Sequence, residues 1–138
     1  AQWGELITPA FRESAAIGAS WSGTDLLRAQ DRRAVLFREV QALFRRFDVL
    51  ATPTMLKPPP TVDAGGSICT EWYAEIAAPL YPFNLTGHPA ASVPAGFTAG
   101  GLPVGLQLVG PWLAEQRLLD LAALLEARQD FASRRPPL

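Results

Sequence analysis

The stretch from Tyr81 to Pro111, YPFNLTGHPAASVPAGFTAGGLPVGLQLVGP, decides the fold of this chain. It lies within a longer run, from Ile76 to Ala114, that contains no Asp, Glu, Lys or Arg. Such a long uncharged run indicates burial, because a solvated surface normally carries charged side chains. Its prolines exclude a helix that crosses a bilayer, since each one removes a backbone hydrogen bond. The run is therefore typical of buried strands in a soluble α/β protein, which form nearly continuous apolar segments.

Outward from this stretch, three short segments have the composition of strands, and we expect them to share one sheet. They are Val49–Ala51, Ala90–Pro94 and Val104–Val109. The last two are joined by a glycine-containing connection that is typical of a hairpin. Apolar residues at helical spacing predict helices over Thr24–Phe47 and Glu115–Arg128. Both helices should pack on the sheet, because their apolar stripes need a sheet face to bury them.

The remaining segments give weaker signals. Ser22 and Asp25 have the spacing of a capping box at the start of the long helix. Ile7–Ala19 is weakly helical, and Thr70–Ala78 should form a helix that ends before Pro79, because the residue before a proline disfavours helical geometry. At the other end of the chain, 129–138 reads as a tail.

The composition limits the class of protein. A chain of 138 residues is enough for one domain or a domain-sized fragment. Its 12 basic and 13 acidic residues give a net charge of −1, so nothing favours nucleic acid or an anionic membrane as a partner. Cys69 is the single cysteine, which excludes an intrachain disulfide, and Ala1–Glu5 lacks the features of a signal peptide. We therefore expect a cytoplasmic protein. Eleven of the 12 basic residues are arginine, which together with the richness in Ala, Pro and Leu favours a bacterial source with a GC-rich coding sequence.

Three motifs follow one another in the order and spacing of a known family. They are Arg46–Thr54 (RFDVLATPT), Asn84–Gly96 (NLTGHPAASVPAG) and Gly101–Gln107 (GLPVGLQ). Together they resemble the C-terminal part of an amidase-signature hydrolase, and the resemblance extends over roughly Ser20–Ala127. It implies that residues 1–138 are the C-terminal segment of an amidase domain, with a partial mixed sheet and packing helices taken from the larger α/β fold.

The same resemblance implies an activity for the parent protein. The family hydrolyses carboxamides through an acyl-serine intermediate, using a lysine, a serine in a cis peptide and a nucleophilic serine on an upstream Gly/Ser-rich segment. That segment is not found in these 138 residues. We therefore expect the parent to be an amidase and this chain alone to be inactive, with no catalytic residue, cofactor or metal. Its expected partners are the remainder of the amidase chain and a small-molecule amide.

Two residues invite a catalytic interpretation. Ser67 follows two glycines, but the only lysine, Lys57, stands beside three prolines, so we expect Ser67 to lie in a flexible loop. His88 is the single histidine, and we expect it to pack in a turn. Ser92 and Cys69 are conceivable nucleophiles for it, but the spacing specifies neither.

The resemblance also implies a set of substrate-binding residues. In the family, the turn around Asn84 lies against the substrate channel, and we expect Asn84 to cap this turn while Gly87 ends it with a positive φ. The residues expected near the acyl group are Trp72, Ile76, Tyr81, Phe83 and Asn84.

The residue at position 77 distinguishes two kinds of enzyme within the family. The glutaminase among them, the amidotransferase A subunit, has an aspartate seven residues before the equivalent of Asn84, and this chain has Ala77 there. A general amidase is therefore favoured over an amidotransferase A subunit, which stays an alternative. A stand-alone non-catalytic scaffold or interaction domain is another. As an isolated fragment the chain should self-associate, because cutting a sheet exposes strand edges and apolar side chains.

Overall fold

The computed structural model describes residues 6–59, 75–128 and 131. The chain divides into two compact units, Ala1–Val35 and Leu36–Leu138. None of the helices among the described residues is long and apolar enough to span a membrane.

Helix α1, Pro9–Ala19, lies in the first unit. Its start is fixed by Thr8, whose hydroxyl oxygen accepts a hydrogen bond from the backbone N–H of Phe11 at 3.3 Å. Pro9 fits the first turn because the N–H that it lacks would have no helical partner there. The predicted helix over Ile7–Ala19 is confirmed.

Helix α2, Gly23–Leu43, begins with the predicted capping box. The Asp25 N–H donates to Ser22 Oγ at 3.2 Å, and the Ser22 N–H donates to Asp25 Oδ2 at 3.1 Å. Hydrogen bonds from the Ser22 hydroxyl and then from its backbone N–H hold the pKa of Asp25 below its usual value. The helix ends before the predicted Phe47, because the N–H groups of residues 44–46 bond to carbonyls three residues back in a tightened last turn.

Three strands form one antiparallel sheet in the second unit. They are β1, Leu50–Pro53; β2, Ala90–Phe97; and β3, Pro103–Val109. The order is β1-β3-β2, so the hairpin strand β3 lies between the other two. The predicted α/β class and the single sheet are confirmed. Both strand pairs among the described residues are antiparallel, so these three strands do not show the mixed pairing that was expected of the sheet.

One face of the sheet is apolar and is covered by a helix. Val93 of β2 and Leu108 of β3 pack against Leu118, and all three are almost completely buried. Leu118 belongs to the last helix, Glu115–Glu126, whose Leu121 also contacts this cluster. The prediction that this helix packs on the sheet is confirmed.

The opposite face carries polar side chains in register. Thr52, Gln107 and Ser92 are direct partners across the three strands, so they point to the same side. Gln107 is only 3% exposed, and its Nε2 donates to Thr52 Oγ1 at 2.9 Å and to the carbonyl of Pro79 at 3.0 Å. These bonds satisfy both amide hydrogens of Gln107, which makes its burial tolerable.

Helix α3, Tyr81–Thr86, lies between β1 and β2 in the chain, so the helix Glu115–Glu126 is α4. Gly87 ends α3 with φ of 70° and donates its N–H to the carbonyl of Phe83 at 2.8 Å, as predicted. The predicted cap by Asn84 is wrong. Asn84 lies inside the helix and donates its N–H to Leu80, because Pro82 lets the first turn begin three residues earlier.

Two predictions fall largely outside the described residues. Of the helix expected over Thr70–Ala78, the structure describes only its end, where Glu75 and Ile76 are helical and a turn follows. Of the expected tail 129–138, it describes Phe131, whose ring centroid lies 5.8 Å from that of Phe97.

Candidate functional site

A cavity of about 700 Å³ opens in the second unit at the end of β1. The segment after β1 forms one wall, and the β2–β3 hairpin forms the other. Two backbone hydrogen bonds hold the first wall in place, from Thr54 N–H to the Gly105 carbonyl and from Leu56 N–H to the Ile76 carbonyl. Most of the lining is apolar and includes Met55, Leu56, Pro58, Val93, Pro94 and Val104.

A pair of hydroxyl groups lies in this lining. Thr54 Oγ1 and Ser92 Oγ are 2.7 Å apart and share a hydrogen bond across the intervening strand β3. Gly105 of β3 makes this contact possible. A Cβ atom at position 105 would stand 2.7 Å from Thr54 Oγ1 and 2.9 Å from Ser92 Oγ, which is closer than real Cβ contacts. The glycine is therefore required by the hydroxyl pair.

Lys57 is the charged residue among the described residues of the lining. Its Nζ lies 2.6 Å from Glu75 Oε1, in an ion pair whose side chains are more than half exposed. An exposed pair of this kind contributes little to stability. Its effect on the cavity is that the lysine charge already has a partner.

The predicted substrate residues do not all meet at this cavity. Ile76 is buried and lies in the lining. Tyr81, Phe83 and Asn84 are on α3 and are not among the lining residues, and Trp72 lies outside the described residues. Their role in substrate binding stays a prediction.

The sequence did not predict that Thr54, Ser92 and Gly105 form one site. All three stand in the motifs that carry the family resemblance, but nothing in their spacing shows that they meet. The signal that brings them together is the strand register, in which Pro94 pairs with Gly105 and Pro53 with Leu106. A one-residue slip would turn these side chains to the other face of the sheet.

His88 is buried, with 5% of its surface exposed, and it lies in the short connection between the turn at Gly87 and β2. Its ring lies 5.2 Å from that of Phe37 and 5.5 Å from that of Phe44, centroid to centroid. Burial lowers the pKa of His88 below its usual value of 6.5, which favours the neutral ring. This aromatic contact is also where the second half of α2 meets the segment that leads into β2.

Both ring nitrogens of His88 have hydrogen-bond partners. Nε2 lies 2.9 Å from Gln41 Oε1, which also accepts the Trp112 N–H at 3.3 Å. Because that oxygen is an acceptor, we assign the ring hydrogen to Nε2. Nδ1 faces the Thr86 hydroxyl at 2.8 Å. Both ring nitrogens therefore take part in hydrogen bonds within the fold, Nε2 with Gln41 and Nδ1 with Thr86.

The geometry suits binding better than covalent chemistry. A nucleophilic serine needs a base within hydrogen-bond reach, and the hydroxyl group of Ser92 bonds to another hydroxyl group. Ser67 and Cys69 lie outside the described residues. Within 6–59, 75–128 and 131, no three His, Cys, Asp or Glu side chains are grouped as metal ligands.

The sequence matches the family described as Amidase over residues 5–119. The chain belongs to the amidase family. It is 42% identical over 115 residues to a putative amidase, AmiA2, of Mycobacterium tuberculosis H37Rv, a match that spans 80% of this chain and 24% of the relative. It is 43% identical over 122 residues to the A subunit of the glutamyl-tRNA(Gln) amidotransferase of Synechococcus sp. CC9605, over 86% of this chain and 24% of that protein.

Solved structures of amidases have the same fold. A bacterial aryl acylamidase of the amidase-signature family matches with a TM-score of 0.77 at 27% identity, over 95% of this chain and 29% of the other. A second amidase structure matches with a TM-score of 0.76 at 30% identity, over 90% of this chain and 29% of the other. The chain therefore spans about a quarter of the length of the amidase-family relatives that it matches, and the predicted larger α/β fold is confirmed.

Proposed function

We propose that this chain is the C-terminal part of an amidase that hydrolyses carboxamides through an acyl-serine intermediate. The observation that carries the proposal is the family match over 5–119, which is a long match in this chain but only a quarter of each curated relative. The lysine and the two serines of the reaction are assigned to the remaining part of the domain. This chain contributes sheet, packing helices and part of the substrate pocket.

The pocket combines the cavity with the predicted substrate residues. Ile76 belongs to the cavity wall and is held there by its bond to Leu56. Tyr81, Phe83 and Asn84 follow it on α3, and with Trp72 they are assigned to the side of the pocket that receives the acyl group. The partner that completes this pocket is the remainder of the amidase chain.

The proposal is tested by replacing the C-terminal quarter of the mycobacterial relative with this chain. The isolated chain should not hydrolyse simple aryl or alkyl amides, because it lacks an activated nucleophile. The chimera should hydrolyse them, whereas the relative without its C-terminal quarter should not. Turnover by the purified isolated chain that is lost in Ser67→Ala would contradict the division of labour. A well-folded chimera without activity would contradict the amidase assignment.

A second candidate is the A subunit of an amidotransferase, because the Synechococcus relative of that name is as similar as the mycobacterial amidase. Ala77 argues against it. Ala77 is 1% exposed and offers no carboxylate for the ammonium group of glutamine. The chimera should therefore prefer neutral amides to glutamine, and Ala77→Asp is the variant expected to raise glutamine hydrolysis. A preference for glutamine without that substitution would favour the second candidate.

Self-association of the isolated chain follows from the same proposal. β1 and β2 have β3 on one side only within the described sheet, so each leaves backbone groups for another strand. Leu113 and Leu119 are among the large apolar side chains that are exposed. We expect a concentration-dependent dimer or larger species by sedimentation at tens of micromolar. A compact monomer that binds no hydrophobic dye would favour a self-sufficient scaffold domain instead.

A further inference from the structure

We propose that the Thr54–Ser92 hydroxyl pair recognises one class of ligand in the cavity: a neutral molecule with an apolar body and an end group that both donates and accepts a hydrogen bond. This inference rests on the proposed function, because it takes that end group to be a carboxamide. It assigns the selection of the end group to Ser92 of β2 and to Thr54, which directly follows β1, and leaves the acyl group to the residues of α3.

The hydrogens of the pair can be counted. Each hydroxyl group has one hydrogen and two acceptor lone pairs. The two oxygens are 2.7 Å apart, and the bond between them uses one of the two hydrogens, whichever residue donates it. One donor and free acceptor positions remain side by side. That set matches a carboxamide, whose C=O accepts and whose N–H donates.

Gly105 keeps the pair open to the cavity. It lies between the two side chains and is itself part of the lining. Any side chain at this position would press on both hydroxyl oxygens. The glycine thus preserves the space through which an end group reaches Thr54 and Ser92.

The rest of the lining selects for an apolar body. Pro94 and Val104 contribute from the hairpin, and Met55 and Pro58 contribute from the segment after β1. Burying the hydrocarbon part of a ligand here is favourable in proportion to the apolar area removed from water. Proline side chains add little entropic cost, because they are already rigid.

A carboxylate matches the site poorly. It accepts hydrogen bonds but donates none, and the pair has a single free donor for it. The lysine at the cavity is held by Glu75 at 2.6 Å, so the charge of a carboxylate would find no free cation among the described lining residues. Ser92 is exposed and Thr54 is half-buried, so the carboxylate is disfavoured by the donor that it lacks and not by complete desolvation.

Three ligands of nearly the same shape test the proposal on the 138-residue chain. Phenylacetamide has a donor and an acceptor, methyl phenylacetate has only acceptors, and phenylacetate is charged. Each ligand is titrated into the protein, and the chemical shifts of the backbone N–H groups report binding. The affinity should fall in the order phenylacetamide, methyl phenylacetate, phenylacetate. Phenylacetamide should bind about fivefold more tightly than the ester, since one net hydrogen bond separates them. The shifts should centre on residues of the cavity.

Substitutions at the hydroxyl pair and at Gly105 test whether the preference for the amide over the ester depends on these residues. Ser92→Ala and Thr54→Val each remove one hydroxyl group and should bring the amide-to-ester ratio close to one. Gly105→Ala keeps both hydroxyl groups but displaces them, and it should have the same result. Ser20→Ala is the matched control, because it also removes one exposed hydroxyl group, at a residue outside the cavity lining, and should leave the ratio unchanged. Thermal melting of each variant identifies any that fails to fold, and the affinity ratio is compared among the variants that fold.

Equal binding of amide and ester by the wild-type chain would overturn the inference, as would a ratio that survives all three substitutions at the pair. Tighter binding of phenylacetate, or no binding of any ligand up to its solubility, would overturn it too. These outcomes are separate from the proposed function. An active chimera whose isolated C-terminal chain shows no preference keeps the amidase assignment and loses only the role of the hydroxyl pair.

Discussion

The two faces of the sheet are built from the same three strands but are stabilised differently. On one face Val93 and Leu108 pack against Leu118 of α4, and the contact is made of hydrocarbon alone. On the other face Gln107 is just as buried, but it is held by two hydrogen bonds. The apolar face gains its stability from buried area, which tolerates small shifts, whereas the polar face depends on hydrogen-bond distances. The polar face is also the one that carries Ser92 of the proposed ligand-binding pair.

The largest expected effect lies on the apolar face. Leu118→Ala removes the side chain at the centre of the contact between α4 and the sheet, where it is 2% exposed. The loss of buried area and the cavity that remains should lower the free energy of unfolding by about 3 kcal/mol. Urea denaturation checks this, with exposed Leu119→Ala on the same helix as the control. Equal effects of the two substitutions would show that α4 is not packed through Leu118.

Gln107→Leu tests the polar face at similar volume. The substitution leaves the Thr52 hydroxyl and the Pro79 carbonyl without the amide that bonds them. We expect a loss of about 2 kcal/mol, because buried polar groups are then left unsatisfied. The same denaturation series measures it. A neutral or stabilising result would mean that hydrocarbon packing serves both faces equally well.

Gly105→Ala tests the requirement for empty space on that polar face. Its Cβ would approach Thr54 Oγ1 and Ser92 Oγ to less than 3 Å, so the two side chains must move. The strain should cost about 1.5 kcal/mol, as small-to-large changes in packed sites do. The same substitution in a Ser92→Ala background should cost less, because one of the two obstructing oxygens is gone. Additive costs would argue against the contact.

The smallest expected effect is a dependence of stability on pH at His88. Its pKa is lowered in the folded state from 6.5, so the unfolded chain binds the proton more readily. The stabilising contribution of the neutral ring is therefore complete above pH 6.5 and is lost as the pH falls toward the lowered folded pKa. The chain has one histidine, so urea midpoints measured from pH 8 to pH 5 should fall in the wild type and stay flatter in His88→Gln. Identical slopes would exclude this linkage.

The sequence allowed the elements to be predicted because their causes are local. The capping box at Ser22 and the positive φ at Gly87 are each set within a few residues, and the apolar stripe that contains Leu118 has helical spacing. Asn84 was misassigned for a local reason as well, since Pro82 offers an earlier helix start.

The site was less predictable because its residues meet only through strand register. Thr54 and Ser92 are 38 positions apart, and no periodicity within either segment shows that both flank Gly105. The family resemblance pointed to Ile76 and to residues of α3. Of these described residues, Ile76 lines the cavity and those of α3 do not. Register is a property of the assembled sheet, and it is decided by the turn and by which face is buried.

Gln41 has a consequence for how the second unit folds. Its side-chain oxygen bonds both His88 and Trp112, at sequence separations of 47 and 71. Closing two such loops independently would carry two entropic costs. The hairpin removes one of them, because the pairing of Ala90 with Val109 brings the two flanking segments together before the helix arrives. One docking event then makes both bonds. We therefore expect the hairpin to form before the helix docks, so that Gln41→Ala should speed unfolding more than it slows folding, as measured in stopped-flow denaturation.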